Sequence, residues 1–182
     1  MTFYGTYLLH VVLINNAGIA SIPSSLSDFR SSYDTTFSTN ITSVAIITTA
    51  FLPLLYASLS PKVINISSAR GSLTRSTTGK LPPTAAVAYS VSKTALNALT
   101  IEFQKAEDAR VGKAPEAEGK ERVRFWAVSP GHLKTAFNNF RGTKDPIDGA
   151  EVVVRLVCEE EGMREGGSFW EFEDGEMREV PW

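Results

Sequence analysis

The sequence of 182 residues holds one cysteine and two histidines, and these shortages exclude several classes of protein. Cys158 has no second cysteine to pair with, so no disulfide forms within the chain. Nothing in the cysteine usage points to an oxidising compartment. Packing on a helix face is the role expected of it. His10 and His132 are too few and too scattered to hold a metal, so none is expected. The formal net charge of -2 leaves no basic field to recruit nucleic acid. No apolar run reaches membrane-spanning length, and the first ten residues lack the basic start and long apolar stretch of a signal peptide. No membrane partner is therefore expected, and the cytoplasm is the default location. Internal repeats and low-complexity tracts are also missing.

What is present is ordinary for a globular protein: 43% hydrophobic and 21% charged residues. The length fits one domain, residues 1–182, with a sizeable core. Short apolar runs alternate with long amphipathic stretches. Val11 to Asn15 reads as a strand. Ser31 to about Leu59 reads as a long helix, with Phe37, Val44, Ile47, Phe51 and Leu55 at helical spacing and Pro53 as a source of a kink. Lys62 to Ser68 reads as a second strand. The stretch 71–86 is rich in Gly, Ser, Thr and Pro and reads as a loop. Val87 to Asp108 reads as a second long helix whose inward stripe is Val91, Ala95, Leu99 and Phe103. A charged surface excursion over 109–122 precedes a third strand, Val123 to Val128. Asp145 and Pro146 then open a further helix as N-cap and first-turn proline. The run 167–172 closes the chain as a fourth strand. This alternation predicts an α/β fold, a doubly wound parallel sheet with helices on both faces.

In such sheets the active crevice lies at the carboxyl ends of the strands. Those ends carry Asn15-Asn16-Ala17-Gly18, Ser67-Ser68 and Ser129-Pro130-Gly131. The start of the second helix carries Tyr89-Ser-Val-Ser-Lys93. Tyr89 and Lys93 are four apart and project from one helix face. A nearby ammonium favours a phenolate, which brings a tyrosine toward the range where it can donate a proton to a carbonyl and take it back. Ser68 is placed to hydrogen-bond the same carbonyl oxygen. Each piece alone also fits a plain structural role: a solvated Tyr and Lys, a Ser-Ser turn, a buried and satisfied Asn40. The ordered combination is much rarer.

With Asn15-Asn16-Ala17-Gly18, Asn40, the run Ile64–Gly71 (INISSARG), Tyr89–Lys93 (YSVSK) and Pro130–Thr135 (PGHLKT) in order, the chain resembles the short-chain dehydrogenase/reductase family, and its carboxyl end resembles fungal members. The resemblance covers about Val11 to the end. It implies a Rossmann-type sheet and an NAD(P)-dependent oxidoreductase acting on a small carbonyl or secondary alcohol. It implies Tyr89 as general acid/base, and Lys93 as the group that lowers its pKa and binds the nicotinamide ribose. Ser68, rather than Ser67, is implied to hold the substrate carbonyl, and Asn40 to position a water behind Lys93. Asn15, Ala17 and Gly18 are implied to line the adenosine side of the cofactor crevice. Pro130, Gly131, Leu133 and Thr135 are implied to border the nicotinamide. Tyr89 and Lys93 count toward the cofactor as well as the chemistry. A homodimer or tetramer through the two long helices is also implied.

The chain departs from the family pattern. Ser68 and Tyr89 are separated by a long loop, about 72–88, like the insertion of carbonyl-reductase-like members. His132 stands in the Pro-Gly turn, where an exposed turn residue is expected. No GxGxxG or GxxxGxG occurs in the sequence. The glycine-rich loop that binds the pyrophosphate, and the residue that chooses NADP or NAD, belong to strand-helix units that the family places before Asn15. The expectation is an amino-terminally truncated copy, explained by a misread gene start, that binds either nucleotide poorly and aggregates through an unpaired sheet edge. Substrate pockets are expected in 72–88 and 136–146. Two other readings stay open: a cofactor-deficient, non-enzymatic relative acting as a subunit or interaction module, and a sugar-nucleotide epimerase or dehydratase. The short region after Thr135 disfavours the second.

Overall fold

The computed structural model describes residues 10–112, 122–160 and 162–182. Five strands join one sheet in chain order: β1 (Val12–Asn15), β2 (Lys62–Ile66), β3 (Arg124–Ser129), β4 (Ser168–Glu173) and β5 (Glu176–Glu179). The first four run parallel, as expected of strand-helix alternation. The last is an antiparallel hairpin partner of β4 that the sequence reading missed. Its signal was present. Asp174-Gly175 both take positive φ, 53° and 81°, as a two-residue hairpin turn requires. Much of the charged excursion expected over 109–122 lies outside the described residues.

The strands alternate side chains between two helical layers. Val63 and Phe125 face Leu52 and Leu55 of helix α2 (Ser43–Leu55) and Phe103 of helix α4 (Val87–Gly112). Ile64, Trp126 and Val128 face Val152 and Leu156 of helix α5 (Pro146–Cys158). Each such fully buried side chain contributes about 1.5–3 kcal/mol. The sheet is therefore covered on both faces, as predicted for a doubly wound fold. Its β1 edge pairs only with β2 among the described residues, and Ile14 there is 43% exposed.

Helix α1 (Phe29–Phe37) runs into α2 through a π turn, Ser38–Thr42. The buried residues Ser32, Thr36, Asn40, Val44 and Thr48 recur every four positions. On a regular helix a four-residue step drifts about 40°, and the wider π turn takes back most of that drift. The buried stripe thus stays on one side. Ile47 and Phe51, which the spacing put on the inner face, are exposed instead. The joined helix, Phe29–Leu55, is long and apolar enough to cross a membrane by length and composition, a correction to the expectation that no such run exists. Here it packs on β1 and α4.

Three further expectations are corrected. The stripe of α4 is one residue away from the prediction: Ser92, Lys93, Leu96, Asn97, Thr100, Gln104 and Glu107 are buried, while Val91 is exposed. These polar side chains go inward because the strands and turns beneath offer partners; Gln104 Oε1 accepts from Phe125 N and Glu107 Oε1 from Val123 N, each at 2.9 Å. The loop 71–86 contains a short helix, α3 (Leu73–Thr77), capped by Ser72, whose Oγ accepts from Arg75 N. Cys158 is exposed, because α5 buries the face of Val152 and Leu156 and Cys158 lies about 200° around from Leu156.

Candidate active site

The carboxyl end of β2 divides its two serines by chemistry. Ser67 turns inward, and its hydroxyl donates to Asn97 Oδ1 at 2.6 Å. Asn97 Nδ2 in turn donates to Gly71 O. Ser68 caps the 3-10 turn Ala69–Gly71, its Oγ accepting from Arg70 N at 3.3 Å. Gly71 is needed for close approach: a Cβ there meets Lys93 O at 2.8 Å and Asn97 Nδ2 at 2.9 Å. The turn therefore sits directly on α4, one helical turn from Tyr89. The Ser68 hydroxyl lies close enough to the Tyr89 phenol to favour its ionised form.

Burial is the dominant influence on Tyr89 and raises its pKa above the ordinary tyrosine value. Ser68 and Arg70 pull it back. Lys93, the group expected to do this, holds its Nζ 5.6 Å from the ring centroid and donates to Ile66 O at 2.6 Å. Burial lowers the Lys93 ammonium to about 8. Ile66 O is the partner the described residues show for Lys93, and an ammonium has three N–H groups to give.

Asn40 ties the site together. Its Oδ1 accepts from Ile19 N, and its Nδ2 donates to Ile19 O and to Ser92 Oγ, all at 2.9 Å. Both amide hydrogens are thus spent on protein. A water held by this side chain has only the second Oδ1 lone pair to use. The network fixes the Gly18-Ile19 segment against α4, and Gly18 lies beside both Lys93 Nζ and Asn40 Oδ1, at 3.4 and 3.5 Å from its would-be Cβ. Asn15 is buried, with Nδ2 donating to Thr48 Oγ1 and Asn65 Oδ1. With Leu13, Ile14, Asn16, Ala17, Val44 and Ile47 it lines a cavity of about 210 Å³ at β1.

The segment after β3 is held less by its own motif than by α5 and β4. Gly131 takes φ 91°, in the left-handed region. Lys144 Nζ bonds Phe172 O and the Glu173 carboxylate beside it. Leu133 packs against Gly149 at the start of α5. Pro130 is half-buried and His132 is exposed, as expected of a turn residue. Thr135 precedes a second 3-10 turn, Ala136–Asn138, without a side-chain capping bond. That turn delivers Phe137, whose ring meets Tyr89 with centroids 5.5 Å apart. Phe137 was anticipated only as part of a pocket segment, and Arg70 not at all. An aromatic placed after a Pro-Gly turn carries no sequence sign of which side chain it will meet.

A strand-end crevice holding a Ser, a Tyr and a Lys four residues on defines a class of Rossmann-type oxidoreductases. The pattern of the short chain dehydrogenase family matches residues 10–145, and the chain belongs to that family. It is 43% identical over 179 residues to a short-chain dehydrogenase/reductase of Aspergillus fumigatus, covering 94% of this chain and 66% of the relative. A short-chain dehydrogenase/reductase of Talaromyces stipitatus is 33% identical over 165 residues, covering 81% of this chain and 57% of the relative. Among solved structures, the carbonyl reductase Sniffer of D. melanogaster matches with a TM-score of 0.71 at 25% identity, over 94% of this chain and 66% of that one. NADPH-bound carbonyl reductase from chicken fatty liver matches with a TM-score of 0.64 at 25% identity, over 93% and 65%. The chain thus spans no more than about two thirds of the length of these relatives.

Proposed function

We propose that the site performs the proton-transfer half of an NADP- or NAD-dependent reduction of a small carbonyl compound, or the reverse oxidation of a secondary alcohol. The observation that carries this reading is the convergence of Ser68, Tyr89 and Lys93 at the end of β2. The nicotinamide supplies or accepts the hydride at the carbonyl carbon. Everything else falls to the chain. Ser68 and Tyr89 hydrogen-bond the carbonyl oxygen. As negative charge develops there, the phenol gives up its proton; an un-ionised phenol, favoured by burial, is the correct starting state for reduction. The Lys93 ammonium stabilises the resulting phenolate across the ring face.

The residues present fit the nicotinamide-ribose end of such a cofactor. Lys93 is buried with donors beyond its bond to Ile66 O, and Gly18 lies beside it. No glycine-rich loop sequence is present for the pyrophosphate. Fluorescence titration with NADPH and with NADH tests whether the chain holds either nucleotide. Exposed Ile46, Ile47, Phe51 and Leu54 of α2 and Val87 and Val91 of α4 support a homodimer or tetramer through these helices, which sedimentation velocity tests. The reaction itself is tested by Tyr89→Phe. Carbonyl reduction is expected to fall by roughly 100-fold or more. Turnover that survives the substitution overturns the assignment.

A further inference from the structure

Helix α3 has no buried residue, and its one apolar side chain, Leu73, is 59% exposed. A single helical turn without an apolar face does not hold its place by itself, because nucleating it fixes several dihedrals for one hydrogen bond. Polar ties hold it instead, and two of them reach residues 108 and 109 positions along the chain. The Ser72 hydroxyl has one hydrogen to give. It donates that hydrogen to Pro181 O at 2.5 Å, while its oxygen accepts from Arg75 N at 3.1 Å. Thr74 donates twice to Trp182 O, from its backbone N at 3.0 Å and from Oγ1 at 2.6 Å. The Arg75–Glu171 pair adds a third tie. The strap that supplies these carbonyls is rooted in the sheet. Val180 is buried, its N donates to Phe169 O at 2.7 Å, and the Trp182 ring stacks on Phe169 with centroids 5.5 Å apart.

Ser72 directly follows the 3-10 turn that begins at Ser68. Gly71 N donates to Ser68 O at 2.8 Å, and Ser72 N to Ala69 O at 3.0 Å. On one side this turn bears on α4, through the close approach of Gly71 to Lys93 O and the bond from Asn97 Nδ2 to Gly71 O. On the other side its exit is tied to Pro181. We propose that Pro181 and Trp182 are positioning residues: their carbonyl oxygens, through Ser72 and Thr74, hold the Ser68 turn against α4 and so fix where the Ser68 hydroxyl meets a substrate carbonyl. This deepens the reading of the site as a carbonyl reductase and rests on it for the role of Ser68. The tie itself stands on the hydrogen bonds alone.

The test cuts the strap in three ways. A chain ending at Val180 lacks both acceptors. Thr74→Val removes one donor to Trp182 O at an exposed position, and it decides the matter where the shortened chain does not fold. Trp182→Phe keeps both carbonyls and a ring for Phe169. Amide exchange of Gly71 and Ser72 is expected to quicken about tenfold or more in the shortened chain, and by a smaller factor in Thr74→Val, with β2 and β3 unchanged. Trp182→Phe should match the parent. Turnover supplies the readout that a purely structural role would leave alone. Loss of residues 181 and 182 is expected to lower kcat for benzaldehyde reduction by NADPH about tenfold, and to lower it no further when Ser68→Ala is already present. Unchanged exchange at Gly71 and Ser72, exchange that rises equally across the sheet, or kcat losses that add in the Ser68→Ala background overturn the proposal. Failure of the reductase reading looks different: the parent shows no turnover that depends on Tyr89, and the exchange result alone then decides whether residues 181 and 182 hold the turn.

Discussion

Lys93 is where stability and chemistry oppose one another, and Lys93→Met measures the conflict. Lys93 is 4% exposed, and burial lowers its pKa from 10.5 to about 8. The folded state thus holds the proton less tightly than the unfolded chain. Converting the difference gives a cost to folding of about 3 kcal/mol at pH 7, where both states are protonated. Methionine fills a similar volume without charge. It removes the Nζ bond to Ile66 O, which offsets about 1 kcal/mol. The variant is therefore expected to be more stable than the parent by about 2 kcal/mol in urea unfolding at pH 7. The sign with pH follows from the depressed pKa. Between about 8 and 10.5 the unfolded chain keeps a proton that the folded protein has released, so the parent gains stability as pH rises. The advantage of the variant should shrink by more than half by about pH 9.5, vanish near about pH 10 and reverse above it, where the lost bond to Ile66 O outweighs the remaining burial cost. A variant less stable at pH 7, or a gap that does not change with pH, would refute the reasoning. The same substitution should abolish carbonyl reduction, a trade of stability for function.

Other substitutions probe the supports of the site. Gly71→Ala places a methyl 2.8 Å from Lys93 O, so the turn carrying Ser68 must lift off α4; a loss of about 2 kcal/mol or more in urea unfolding is expected, and a neutral effect would mean the turn has slack. Lys62 sends its Nζ to the carbonyls of Leu156, Val157 and Glu159 at 3.0, 2.8 and 2.8 Å, so Lys62→Met should leave the end of α5 uncapped and lower stability by about 2 kcal/mol, with hydrogen exchange rising first in that turn. The Arg75–Glu171 pair is bidentate and mostly buried, so removing either partner alone should cost about 3 kcal/mol while removing both costs less; a double-mutant cycle with no coupling would contradict that.

Where the sequence signal was strong, the structure follows it closely. Asp145 and Pro146 announced α5, and Asp145 Oδ1 accepts from Ile147 N as an N-cap should. Apolar runs announced β1 to β4, because a sheet covered on both faces favours apolar residues at successive positions. Other features were legible but unread. The Asp-Gly turn before β5 and the Ser72 cap of α3 are local signals of ordinary strength. The inner face of α4 was hidden for a better reason. Apolar Val91 is outside and Asn97, Gln104 and Glu107 inside, since each polar group meets a partner supplied by a distant segment. Periodicity of hydrophobic residues cannot report partners that arrive from elsewhere in the chain.

The sequence by itself determined the long helices, the four parallel strands, and the presence of Ser68 at a strand end, Tyr89 and Lys93 at a helix start and Asn40 within a helix. These follow from local patterns, and from the rule that open α/β sheets gather function at one edge. Only the tertiary structure decided that Ser67 spends its hydroxyl on Asn97, that Asn40 spends its amide on Ile19 and Ser92, and that the Lys93 Nζ bonds Ile66 O with the Tyr89 ring beside it. It alone placed Phe137 against the Tyr89 ring. The direction of a side chain and the burial of a charge depend on what the rest of the chain packs around them, and no spacing along the sequence encodes that.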